Sequence, residues 1–143
     1  MTLTLSDIVN AIAGVIRKKY PSYGIFVSPT QQGARPPCFF IFFLPDSSTK
    51  PQIGSSFMRE VGIDIVFVQD QNSLNANELS MEIVDYLDEN MILIPYGSTY
   101  LRAHDREWEI EDEVHYQFKI KERIGLKEYD PILKHVDYSG GIK

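Results

Sequence analysis

From Cys38 to Leu44 the chain reads Cys-Phe-Phe-Ile-Phe-Phe-Leu, seven apolar residues with no polar interruption, directly after the turn Gln32-Gly33-Ala34-Arg35-Pro36-Pro37. Strand side chains alternate between the two faces of a sheet. Phe39, Ile41 and Phe43 therefore take one side, and Cys38, Phe40, Phe42 and Leu44 the other. A strand that is apolar on both sides has to be covered on both sides. The chain's own helices can cover one. The second face calls for another layer, and in a chain of 143 residues a neighbouring subunit is a candidate to supply it.

That length suits one domain, which buries roughly two thirds of its unfolded surface. We expect a single domain over 1–126 and a C-terminal tail or arm over 127–143. No apolar run approaches the span of about 20 residues that a membrane crossing needs, and Met1-Thr2-Leu3-Thr4-Leu5 lacks the basic start of a secretory signal. The lone cysteine, Cys38, excludes an internal disulfide, and its apolar strand makes it a small core residue rather than a nucleophile. A net charge of -6 is opposite in sign to the surface that grips phosphate backbones, which argues against specific nucleic-acid binding.

Leu5, Ile8, Val9, Ile12, Val15 and Ile16 recur at helical spacing, with Ser6 as the expected N-cap and Arg17-Lys18-Lys19 closing the helix against its dipole. Gly24 to Val27 reads as a short strand, Ser28 to Pro37 and Pro45 to Ser56 as polar loops, and Phe57 to Phe67 as a long strand. A second helix follows, with Asn75 and Glu78 at capping-box spacing and Ala76, Leu79, Ile83, Tyr86 and Leu87 on its buried stripe. Pro95-Tyr96-Gly97 breaks the chain before a hairpin of Thr99 to Ile110 and Val114 to Ile124. Opposing Ile110 to Val114 sets Trp108 against Tyr116, Glu109 against His115, Arg106 against Phe118, His104 against Ile120 and Arg102 against Glu122. The order of elements predicts an α+β fold, a mostly antiparallel sheet with two helices packed on one face.

Phosphate-binding glycine loops, zinc-hydrolase helices, C-x-x-C pairs and nucleophile elbows are all missing from the sequence. No cofactor or metal is expected. His104 and His115 do not converge in the hairpin register, so a metal site would need ligands from elsewhere. Asp105, Glu107, Glu109, Glu111, Asp112 and Glu113 crowd around the hairpin tip. Acid–base catalysis needs partly buried carboxylates with separated pKa values, and groups next to a turn stand in water. A chain without a catalytic signature is read as a non-enzyme.

The N-terminal helix, the Gln32-Gly33 turn into Pro37-Cys38-Phe39-Phe40-Ile41, and Trp108-Glu109-Ile110-Glu111-Asp112 leading into Val114-His115-Tyr116 together resemble the tail terminator, or tail completion, proteins of long-tailed bacteriophages and prophages. A glycine would be expected in the hairpin turn where this chain has Glu113. The resemblance implies a structural protein of the virion tail, assembled in the cytoplasm of the bacterial host. It would close the head-proximal end of the tail tube as a ring, usually of six subunits, and prepare it for joining to the head. Its partners would be further copies of itself, the tail tube protein and a head-tail connector protein. In such a ring the expected contact residues are Phe40, Phe42, Leu44, Arg35, Lys50, Tyr129 and Tyr138, and the acidic cluster Glu107, Glu109, Glu111, Asp112 and Glu113 is expected to face the lumen or solvent. The competing reading is a small-ligand-binding or enzyme-accessory domain whose Phe-rich strand lines an apolar pocket.

Overall fold

The computed structural model of the chain describes residues 3–27, 35–52, 56–70, 72 and 74–125. In order it forms α1 (Leu5–Lys19), β1 (Gly24–Phe26), β2 (Cys38–Phe43), β3 (Ser48–Pro51), β4 (Ser56–Val68), α2 (Ala76–Asn90), β5 (Leu93–Tyr96), β6 (Thr99–Ile110) and β7 (Glu113–Gly125). The strands make one sheet in the order β1-β2-β4-β7-β6-β5, with β3 alongside β4 beyond the end of β2. Among the described residues only the β1/β2 pair is parallel. The α+β expectation holds.

Thr4, not Ser6, caps α1. Its Oγ1 accepts from the Asp7 amide at 3.0 Å while its own amide donates to Asp7 Oδ2 at 3.0 Å. That reciprocal pair needs an acceptor three residues on; Thr4 has Asp7 there, whereas Ser6 would have Val9. The bonds from Thr4 hold the Asp7 carboxyl below its ordinary pKa. Arg17, Lys18 and Lys19 occupy the last turn as expected. At α2, Asn75 does stand at the N-cap, but its side chain makes no capping hydrogen bond.

Both helices lie on one side of the sheet. Ile8, Ile12 and Ile16 of α1 and Ile83 and Leu87 of α2 bury against Phe39, Ile41, Ile63, Ile65, Phe67, Tyr116, Phe118 and Ile120. Each such side chain is worth about 1.5 to 3 kcal/mol on burial. Polar groups tie the layers together at the margins. Tyr20 donates to Glu82 at 2.8 Å, Tyr86 donates to the Val15 carbonyl, and Tyr116 donates to Asp88 at 2.7 Å, with Arg106 Nη1 donating to the Asp88 carbonyl at 2.8 Å.

Three local expectations are corrected. Within the expected loop Pro45 to Ser56, Ser48–Pro51 forms a strand, because the 13-residue β4 outruns β2 and its residues 57 to 60 are left for β3 to pair. Likewise Pro95-Tyr96 is no break; it ends the edge strand β5, where a missing amide is tolerated, and Gly97 at φ +58° turns the chain into β6. The β6/β7 register starts as expected, with Ile110 on Val114, Trp108 on Tyr116 and Glu109 on His115, but a bulge between His104 and Glu107 then shifts it. His104 consequently faces Lys119, and the Arg106–Phe118 and Arg102–Glu122 pairs are not made. Asp105 absorbs the bulge at φ +54°, a conformation Asp adopts more readily than most residues. Among the described residues only Asp105 and Gly97 have positive φ. Glu113 therefore needs no glycine's freedom.

Candidate functional site

The side of the sheet turned away from α1 and α2 gathers the polar chemistry of the chain. Cross-strand pairing assigns to it the even residues of β2, β3 and β4 and the odd residues of β7. On β6 the bulge sets the phase, placing Glu107 and Glu109 opposite Gln117 and His115 and hence on this face. Trp108 and Ile110 fall on the helix side.

At the β2 end the surface is aromatic. Phe40 and Phe42 lie ring on ring, 5.7 Å between centroids and 5° between planes, and Phe26 of β1 tilts against Phe40 at 5.7 Å. Phe40, Phe42 and Leu44 are half-buried, while Cys38 is only 1% exposed. The need for outside cover is thus smaller than an isolated strand suggests, since the rings shield one another. Burial pushes the Cys38 thiol pKa up, away from the thiolate that reactivity requires. Arg35 and Lys50 are exposed, and Lys50 pairs with Met58 on this face. Tyr129 and Tyr138 lie outside the described residues, as does the rest of the tail 127–143.

Toward the centre, Gly62 lets the chain between β2 and β3 fold down onto β4. The Leu44 amide donates to the Gly62 carbonyl at 2.8 Å, and Ser47 Oγ accepts from the Gly62 amide at 2.9 Å while donating to the Leu44 carbonyl at 2.9 Å. A serine hydroxyl thus stands in for the missing ladder partner. Lys119 Nζ lies 3.1 Å from Asp46 and 3.7 Å from Glu60, which hold its pKa above the ordinary lysine value.

Two same-face positions along β7, His115 Nδ1 lies 3.0 Å from Asp64 Oδ2 and its Nε2 3.3 Å from Glu113 Oε1. Burial pushes the imidazole pKa down, but the bond to Asp64 and the charges of Asp64 and Glu113 outweigh it, so the net direction is up. Asp64 is 8% exposed, and its Oδ1 is buried with no hydrogen-bond partner among the described residues. Asp64 and His115, with Glu107, Trp108, Glu109 and Gln117, line a cavity of 370 Å³. An imidazole engaged by carboxylates at both nitrogens has no free nitrogen to take a proton from a substrate. The acidic cluster is divided by the fold: Glu107 and Glu109 flank this cavity, Glu111 and Asp112 sit exposed at the tip, Glu113 engages His115, and Asp105 lies 3.9 Å from Lys121. Among the described residues no group of three His, Cys, Asp or Glu is placed to hold a metal ion, and no helix is long and apolar enough to cross a membrane.

Two features escaped the sequence reading. One is the Asp64–His115 pair, whose signal was a single charged residue in the apolar run Val61 to Val68. The other is a groove of 590 Å³ between α1, α2 and β5, floored by Ala11, Gly14, Val15, Ile92, Leu93 and Pro95. Gly14, where an added Cβ would meet nothing within 4 Å, was its trace in the sequence.

No curated protein matches the sequence. A solved structure superposes with a TM-score of 0.40 at 9% identity, covering 86% of this chain and 96% of that one, too loose a likeness to carry an argument. The family described as phage tail terminator protein matches residues 7–128. That match takes in every strand, α2 and all of α1 but its first two residues, and on it the chain belongs to the phage tail terminator protein family, with a structural role in the phage tail.

Proposed function

We propose that the protein closes the head-proximal end of the tail tube as a ring of identical subunits, six in number as the resemblance implies, and readies that end for the head. It is a structural part, not an enzyme. Tail tube protein docks on one rim of the ring and a head-tail connector protein on the other. The observation that carries this reading is a seven-stranded sheet that, among the described residues, has a helix layer on one side and a stacked Phe40–Phe42 pair on the other. Subunits meeting head to tail through unlike surfaces close into a ring when the rotation permits. In this ring Phe40, Phe42 and Leu44 lie at the contact, Arg35 and Lys50 border it, and the segment 127–143 with Tyr129 and Tyr138 reaches toward the neighbour. The exposed tip carboxylates Glu111 and Asp112 face the lumen or solvent, where negative potential keeps passing DNA from adhering.

Electron microscopy of tails assembled in the bacterial host with Phe40→Asp or Phe42→Asp tests the reading, each variant first shown to fold by its thermal melt. Overlong or headless tails are the expected result. Normal length control and head joining by both variants would refute the contact.

A further inference from the structure

The cavity around Asp64 and His115 is lined mainly by acidic side chains. Three carboxylates line it from two strands, Asp64 on β4 and Glu107 and Glu109 on β6, and Glu113 of β7 holds His115 beside it. Glu113 is spent on His115, and Asp64 uses Oδ2 on the same ring while Oδ1 finds no partner. Glu107 and Glu109 make no ion pair among the described residues. The nearest cation along β7, Lys119, is already held by Asp46 and Glu60. Asp64 Oδ1 is enclosed, so the selection of a cation from outside falls to the two exposed glutamates beside it, Glu107 and Glu109.

The chain carries such a cation on its opposite side. Arg17 and Lys18, in the last turn of α1, are exposed and unpaired among the described residues, and Lys19 stands over the Tyr86 ring at 5.6 Å. The acidic socket is on the face of the sheet turned away from the helices and the basic turn is on the helix layer, so the two cannot meet within one subunit. They meet naturally between two.

Resting on the ring reading above, we propose that the carboxylate socket at Asp64, Glu107 and Glu109 receives the basic last turn of α1, Arg17 and Lys18, from a second copy of this chain. The bare sheet face of one subunit then lies on the helix layer of the next. Contacts between unlike patches repeat in one direction, as a ring requires, and complementary charge fixes their register and speeds encounter more than it adds affinity.

Reversing charge on each patch separately gives a decisive test. Glu107→Lys with Glu109→Lys makes both patches of a subunit basic; Arg17→Glu with Lys18→Glu makes both acidic. Neither double variant should assemble alone, and a 1:1 mixture should assemble again with the two alternating, each basic socket facing an acidic turn and the reverse. Sedimentation and the number of subunits retained on tail tubes read this out. Assembly of the wild type should weaken severalfold from 50 to 300 mM salt, since exposed charges are screened beyond a Debye length of about 8 to 10 Å. Thermal melts confirm that every variant folds. Wild-type association with no change in either variant would overturn this contact and leave the ring standing. Wild type that never self-associates, alone or on tail tubes, would overturn both. Loss of tube binding with self-association intact would assign the socket to tail tube protein and overturn the second copy as occupant.

Discussion

Asp64 Oδ2 and His115 Nδ1 lie 3.0 Å apart across the two longest strands of the sheet, β4 and β7. The pairing sets Val66 against His115, so the carboxylate reaches the imidazole diagonally from the next bare-face position. Glu109 on β6 stands directly opposite the ring, and Glu113 approaches its far nitrogen.

This geometry gives stability a pH dependence of defined sign. His115 has a folded pKa above its unfolded value of about 6.5, so its contribution is fully present below pH 6.5 or so and is lost as pH rises through the folded pKa. The melting temperature should therefore fall across the range above about pH 6.5, and the fall should shrink in His115→Gln. Following the His115 ring by NMR checks the cause directly: in Asp64→Asn its titration should move to lower pH. An unchanged midpoint would show that Asp64 does not hold the proton in place.

The seam between β2 and β3 predicts a second outcome. A Cβ at Gly62 would come within 2.7 Å of Asp46 Oδ1 and 2.9 Å of Leu44 Cβ, so Gly62→Ala should cost roughly 1 to 3 kcal/mol as overpacking. Ser47→Ala should cost about 1 kcal/mol through the lost bridge. Because both act on the same contact, the double variant should lose less than the sum. Urea unfolding of the three variants decides it.

The two faces of β2 should differ sharply. Phe39 is fully buried between β2 and the helices, and Phe39→Ala should cost roughly 3 to 5 kcal/mol. Phe42→Ala, removing a half-buried ring, should cost the free protein clearly less. Equal losses in chemical denaturation would contradict the one-sided helix layer.

Cys38 should react with thiol reagents far more slowly in the native protein than in the unfolded chain, since it is 1% exposed and burial raises its thiol pKa. Labelling at the unfolded rate under native conditions would mean that β2 opens on its own.

Much of this architecture is written in local pattern. The continuous run of β2, the alternation of β4 and the apolar stripes of both helices are periodicities, and periodicity reports directly which side chains face inward. Charge at helix ends is equally local, which is why the basic close of α1 could be read. What escaped depended on distant partners. β3 exists because β4 is long enough to need it, the bulge at Asp105 shows only in the pairing of β6 with β7, and the Asp64–His115 pair exists only once β4 is known to neighbour β7. Ser6 failed as a cap for a smaller reason: the acid that completes the box lies three residues after Thr4. The family resemblance was legible because it rests on the order of such local motifs, while the socket was not, because its residues come from three strands.

The step from β2 to β3 also defines how this chain can change length. Residues 43 to 48 cover the stretch that 63 to 60 covers on β4, an excess of two, and an even excess keeps Phe42 and Lys50 on the same side. An odd excess would turn β3 over, sending Lys50 to the helix side and Thr49 to the bare one. Natural variation in length at this point should therefore come in pairs of residues. A peptide tag grafted between Pro45 and Asp46, both exposed, should be carried on the outside of the sheet without altering the pairing on either flank, provided its ends return close together.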